Sequence, residues 1–583
     1  MKRRYLWTAV LGISLFFFTG CSGRAPVSEE QETEVQEKET EELFQEEEED
    51  PLLGTADLQV WLGSDFRTLD PAKTLYNTEK TVLRHLYETL LVRGDEGETE
   101  PGQAESYEVS SDGLTVTFHL RDDLKWSDGS ALTSQNFIDA WNRLANPQTA
   151  SPYAEDLLGN VSGFAQMQSG EGESLALSAP DEQTLVIELV SPDFSFPENC
   201  TLTALSPIPE DEAETGSEWM LSPETAVGNG PMVLSEYVPG DHLTLVKNPY
   251  YWHESQVSLT SITFLLNGSE EENLARYENG ELDLFKGGVN WTEAADWREY
   301  HKRPAALASP SEEEGMNDTD MVYAPLSATY YFLLNLDKEP LKDQRVRQAL
   351  SMVLDRRYIA DVVMEGSVEP AWSFVGPGIS DAKEGSSFLE TGEETYVPSE
   401  AAWNQETALA QAADLLLQAG YPGGEGIPEV EILTNDEGYH LDLAEYLIET
   451  WSALGIHASI REVNWSYFIP HRGAGAYWAS RAVWMMDTDD PLSLLWQFTS
   501  QSPDNDGRYA NEEFDRLMTE AKSAQDRETY YQLLHEGEQL LLEDAAAVPV
   551  AFYREGWRQH PGLMGVIHYS DGTWQFKAAY YPF

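Results

Sequence analysis

The stretch RAVWMMDTDDP, Arg481 to Pro491, sets charged side chains into an apolar run. Asp487 follows Val483-Trp484-Met485-Met486 directly, and Arg481 stands six residues before it. A carboxylate taken out of water without a partner is costly, so Asp487 needs a cation or a hydrogen-bond donor. A guanidinium suits a carboxylate because it donates two parallel hydrogen bonds. The chemistry on offer is recognition of charge. The partner of Asp487 comes either from the chain or from outside it. The plain alternative is a turn cap or a pairing with a neighbouring arginine. Asp489 and Asp490 read as shaping the turn before Pro491.

Signatures of catalysis are missing from the sequence. It has no HExxH, no Walker A loop, no GxSxG and no GxGxxG after a strand. Its 11 histidines lack the i, i+4 pairing of a helical zinc site. Carboxylates are so numerous that a chance pair suited to glycosidase chemistry is expected. Of the 2 cysteines, Cys21 lies in the leader region and Cys200 in the body, so a mature chain has no internal disulfide and no Cys-based metal or redox site. These residues suggest a binding protein without cofactor or metal rather than an enzyme.

Strands and helices must position the charged stretch. Arg481 to Met486 reads as a strand, and so do Glu429–Thr434, His457–Val463, Tyr330–Asn335 and Val548–Tyr553. Helical spacing marks Glu406–Ala419, which Gly420 and Pro422 stop, and also Leu441–Leu454, Asn511–Ala524 and Arg527–Glu543. Asp343 to Glu365 reads as one long helix. Strands alternating with helices predict an α/β second half. In the first half, Leu114–Arg121 alternates as a half-buried strand. Ser134–Leu144 is an amphipathic helix entered through Thr133.

The 583 residues carry a formal net charge of −66, which argues against nucleic acid and against docking on anionic lipid by charge. Hydrophobic residues make up 41%, with 17 Trp and 27 Tyr, enough for large cores. Lys2, Arg3 and Arg4 precede a short apolar run, Tyr5–Phe18, as in an export signal. Phe18-Thr19-Gly20-Cys21 resembles a bacterial lipoprotein signal, which implies a lipid on Cys21, although Phe18 departs from the usual leucine. The acidic run Ser28–Asp50 reads as an extended tether.

Ala104 to Arg143, AESYEVSSDGLTVTFHLRDDLKWSDGSALTSQNFIDAWNR, is similar to the signature segment of family-5 solute-binding proteins, the extracellular receptors of peptide-type ABC importers. Leu69-Asp70-Pro71, Gly228-Asn229-Gly230-Pro231, Lys247–Trp252 and the run Asp343–Leu350 with Asp355-Arg356 resemble further landmarks of that family. The resemblance covers about Leu58 to the C-terminus and is strongest to the oligopeptide-binding proteins. It implies a two-lobed α/β fold of the periplasmic-binding-protein kind (type II, cluster C), with an extra subdomain in the first lobe and a hinge between lobes. The expected division is a signal at 1–20, a lipidated Cys21 and tether over 21–54, and a first lobe over 55–87 and 154–327. The extra subdomain takes 88–153, the second lobe 328–555, and 556–583 returns to the first lobe.

By the same resemblance Asp487 holds the position that pairs with a peptide's α-ammonium. Arg481, Arg472 and His440 fall where the family places cations for peptide C-termini of different lengths. Tyr76 and Asn77 in the first lobe, and Val483 and Met485 in the second, are expected to offer backbone to the ligand as to an added strand. Trp465, Trp484 and Tyr331 would line roomy, wet pockets. Leu75, Met364 and Val483 depart from the family pattern, which leaves peptide preference open. Implied partners are an oligopeptide and membrane permease subunits, with a monomeric receptor tethered through Cys21. A receptor for a nickel complex or sugar, a sensor of a signalling peptide, and an exported hydrolase are the competing readings.

Overall fold

The computed structural model describes residues 56–63, 66–94, 97–209, 219–287, 320–383, 386–392, 403–436, 438–486 and 488–582. The leader, Cys21, the acidic tether and Asp487 lie outside these residues. No helix among the described residues is long and apolar enough to cross a membrane.

A single sheet of 11 strands runs through the molecule. From one edge its strands are Ala458–Val463, Val430–Asn435, Ala479–Met485, Met321–Leu334 and Ala547–Gln559, then Leu284–Phe285, Ala56–Trp61, Leu259–Leu265, His242–Lys247 and Met232–Val238. Val368–Pro370 pairs with Ala547–Gln559 off this path. Yet the apolar interior is divided. One core gathers residues 56 to 324 with Trp557, Leu563, Trp574 and Phe576. Two others, on opposite faces of the sheet, lie within residues 330 to 551. Buried apolar area drives each lobe to close on itself. The sheet's continuity rests on the two long strands Met321–Leu334 and Ala547–Gln559, whose register shifts between Pro325 and Thr329. A bulge of this kind bends a strand and frees backbone groups for other partners. Ser327, inside the shift, donates its amide to the Ser570 carbonyl at 2.7 Å.

The second lobe follows from its sequence pattern. Val430–Asn435 lies parallel to both Ala458–Val463 and Ala479–Met485, so each crossover needs a helix. His440–Ser452 and Trp465–Gly473 supply them. The long helix expected over Asp343–Glu365 is instead broken. Gln344–Met352 ends, and a new turn starts at Asp355, whose side chain accepts from the Tyr358 amide at 3.0 Å. Arg356 turns inward and donates to the carbonyls of Leu354 and Pro549 at 3.3 and 2.9 Å. That buried capping outcompetes a continuous helix, and periodicity alone cannot register it.

In the first lobe, the Ala104–Arg143 segment forms two paired strands, Ala104–Val109 and Thr115–Leu120, a turn and the helix Ser134–Ala145. The Asn136 side chain accepts from the Thr133 amide at 2.9 Å, half of a capping box. Gly129 sits in the turn at φ +87°, where glycine is free of strain. Leu177–Asp181 and Thr184–Glu188 complete this small sheet, so residues on both sides of the expected boundary at 153 share it.

Candidate functional site

The strand Ala479–Met485 has one closed edge and one largely open edge. Along the closed edge it pairs with Ala328–Leu334 without interruption. The Met486 amide donates to the Ser327 carbonyl at 2.8 Å. Antiparallel pairing alternates, so the amides of Ala482 and Trp484 also face that neighbour, while those of Arg481, Val483 and Met485 face the other way. On that other side Val430–Asn435 reaches only Ala479 and Ser480. Beyond Ser480 no described strand covers the edge.

Arg481 stands where this open edge begins. It is 5% exposed, and its Nε donates to Asn435 Oδ1 at 2.6 Å. Its guanidinium lies over the rings of Phe468 and Trp465, 4.6 and 5.3 Å from their centroids. Among the described residues no carboxylate comes within ion-pairing distance of it. Burial therefore pulls its pKa down, with no acid to offset the cost. Asn435 closes one parallel strand and Trp465 follows another, so the site sits at the carboxyl ends of the parallel strands, where open α/β sheets bind ligands.

The other expected cations differ. Arg472 is already paired: its Nε donates to Asp506 Oδ2 at 2.7 Å. His440 is not a cation near neutral pH, which corrects the expectation. Burial, and then the charge of Arg481, push its pKa down to about 4, and Nδ1 meets the Tyr330 hydroxyl at 3.2 Å.

Tyr331 also departs from expectation. It is 2% exposed, its hydroxyl donates to Gln497 Oε1 at 2.8 Å, and Phe374 and Phe498 pack edge-on against its ring. It is core, on the face opposite Tyr330. Trp484 shares that opposite face and is half-buried against the same core. Val483 and Met485 lie on the Arg481 face, Val483 half-buried and Met485 42% exposed. Trp465 is 50% exposed and stacks on Phe468 at 5.8 Å.

In the first lobe Tyr76 is 46% exposed, but its backbone is used. Its amide donates to Glu79 Oε2 at 3.2 Å and its carbonyl accepts from Lys80 at 3.0 Å, so it has no free backbone pair to offer, contrary to expectation. Asn77 turns its side-chain amide to the Asp571 carbonyl at 2.7 Å. Asp487, the residue expected to meet an ammonium, lies outside the described residues.

Several partners were not legible from sequence. Phe468 and Asn435 shape the seat of Arg481, and Tyr439 and Tyr553 join hydroxyls beside it at 2.7 Å. Asp490 caps the helix Pro491–Leu495 through the Leu492 amide at 3.0 Å, as a turn-shaping residue should. Asp489 goes further: it pairs with Arg93 at 3.5 Å and accepts from Ser570 and from Ser327, the latter at 3.3 Å. That cluster ties the second lobe to the hinge and to the returning C-terminal segment. Nothing local marks Arg93 for this role.

The bacterial extracellular solute-binding proteins of family 5 supply a family model that matches residues 98–506. The chain belongs to that family. It is 31% identical over 495 residues to the periplasmic oligopeptide-binding protein OppA of Salmonella typhimurium, covering 84% of this chain and 86% of that one. It superposes on the unliganded open form of the periplasmic murein tripeptide-binding protein MppA with TM-score 0.76 at 28% identity, over 91% of this chain and 98% of that one. Against Haemophilus influenzae OppA in complex with RPPGFSPFR the TM-score is 0.65 at 28% identity, over 90% and 99%. The fold is therefore the two-lobed α/β architecture of periplasmic peptide-binding proteins. The family is one of solute receptors rather than enzymes, and it acts outside the cytoplasm.

Proposed function

We propose that this protein is a lipid-anchored receptor that encloses an oligopeptide between its lobes and delivers it to an ABC permease. The observation that carries the reading is Arg481: a buried guanidinium with no described carboxylate partner, at the start of an open strand edge. A peptide added along that edge would satisfy its backbone on Val483 and Met485 and bring its carboxylate to Arg481. Asp487, six residues on, would take the α-ammonium. A zwitterionic peptide thus supplies both charges the strand lacks. The similarity to oligopeptide-binding relatives supports the same ligand class. Trp465, with half its surface free, would line a side-chain pocket.

Closure follows from differential contact. Groups on both lobes touch the ligand only when the lobes approach, so the ligand favours the closed state. Cys21 would hold the monomeric receptor at the membrane. More than one acyl chain makes such an anchor stable, at roughly 0.8 kcal/mol per buried CH2.

The test combines native mass spectrometry of the purified protein with thermal shifts. Co-purified intact peptides, and stabilisation by free peptides well above that by N-acetylated ones, are expected. Equal stabilisation by both would remove the ammonium role of Asp487. Turnover of a peptide mixture would replace the receptor with a hydrolase.

A further inference from the structure

Arg472 and Arg481 lie against one ring, 5.7 and 4.6 Å from the Phe468 centroid. Two guanidinium groups so placed could each hold a carboxylate. The chain gives a partner to Arg472, in Asp506 at 2.7 Å, with side chains 17% and 14% exposed. The partner is itself held in place: the Asp506 carbonyl accepts from the buried Tyr477 hydroxyl at 2.6 Å. Solvent and salt screen such a sheltered pair less than an exposed one.

A ligand carboxylate arriving at Arg472 must displace Asp506. That leaves the aspartate unpaired, close to the charge of Asp504. At Arg481 an incoming carboxylate meets a neutral partner, Asn435, and displaces no described acid. His440, the third candidate, is neutral near pH 7. The three positions that could select peptides of different length thus reduce to one.

We infer that Asp506 is a positioning residue that withholds Arg472 from the ligand, so that Arg481 alone receives the ligand carboxylate and one peptide length is favoured. This rests on the peptide reading above and names what sets its selectivity.

Calorimetric titration of the purified chain with unblocked alanine peptides of graded length tests it. The wild type should favour one length at least tenfold over its neighbours. Asp506→Asn should gain at least tenfold for a second length, Asp506→Glu should keep the wild-type profile, and Asp506→Asn/Arg472→Gln should lose the gain. An unchanged profile in Asp506→Asn, or a broad profile in the wild type, overturns the inference while leaving the peptide reading intact. Should Asp506→Asn fail to fold, Arg472→Gln decides. Loss of the favoured length in that variant means Arg472 does hold the ligand, and retention supports the inference. A wild type that binds no peptide at all overturns the peptide reading itself.

Discussion

Arg481 occupies a costly position for a cation, packed on two aromatic rings with one neutral hydrogen-bond partner. Removing one member of an enclosed charge pair typically costs on the order of 2–5 kcal/mol. Arg481→Gln should therefore weaken binding of a free peptide at least tenfold in calorimetry. The ligand-free variant should melt no lower than the wild type, because no internal ion pair is lost. The histidines give a second prediction. His85 donates through Nδ1 to the Thr81 carbonyl at 2.7 Å and accepts the Phe576 amide at Nε2 at 2.9 Å, an arrangement that needs the neutral ring. Burial pulls its pKa from 6.5 down to about 4. Between those values the unfolded chain binds more protons than the fold. The stability from neutral His85 is thus fully present above pH 6.5 and is lost as pH falls toward 4. The imidazole signal of His85 should titrate near 4 by NMR. A midpoint near 6.5 would contradict its burial. At this scale the sequence showed which side chains were chemical, but not their state. Asp506 is 34 residues from Arg472 in the chain, so the ion pair that removes Arg472 from use had no local signal.

Within the strand Ala479–Met485, period two decides what each residue can do. The reading of Arg481–Met486 as a strand holds, and the alternation places Arg481, Val483 and Met485 on one face and Ala482 and Trp484 on the other. The sequence did not reveal which edge was open. That depends on the shorter reach of Val430–Asn435, a matter of tertiary pairing. Proline offers a direct test because it removes one amide hydrogen. Met485→Pro should keep the fold and weaken peptide binding, since the lost amide faces the open edge. Trp484→Pro should lower the melting temperature sharply, since its amide belongs to the pairing with Thr329. Equal melting losses in the two variants would show that the edge is not free. The same limit on sequence reading explains the broken helix after Met352 and the buried Tyr331. In both cases a distant partner, Pro549 or Gln497, overrides the local pattern.

Across the molecule, one sheet serves two cores, and two strands carry it through the hinge. The order of family landmarks made this architecture readable from sequence. The hinge chemistry was not readable, because Asp489, Ser570, Ser327 and Arg93 are dispersed over some 480 residues of chain. A receptor that closes on its ligand should become more compact, and small-angle scattering should show a smaller radius of gyration on adding a saturating free peptide. No change at saturation would separate binding from closure. The measurement that bears most directly on the central claim is the affinity of one peptide in three forms: free, N-acetylated and C-amidated. Each block removes one end charge and leaves the strand backbone alone. Both blocked forms should bind at least tenfold more weakly than the free peptide. In the Arg481→Gln variant, amidation should make little further difference, because the group that reads the carboxylate is already gone. Equal affinity for the free and amidated peptides in the wild-type protein would contradict the account.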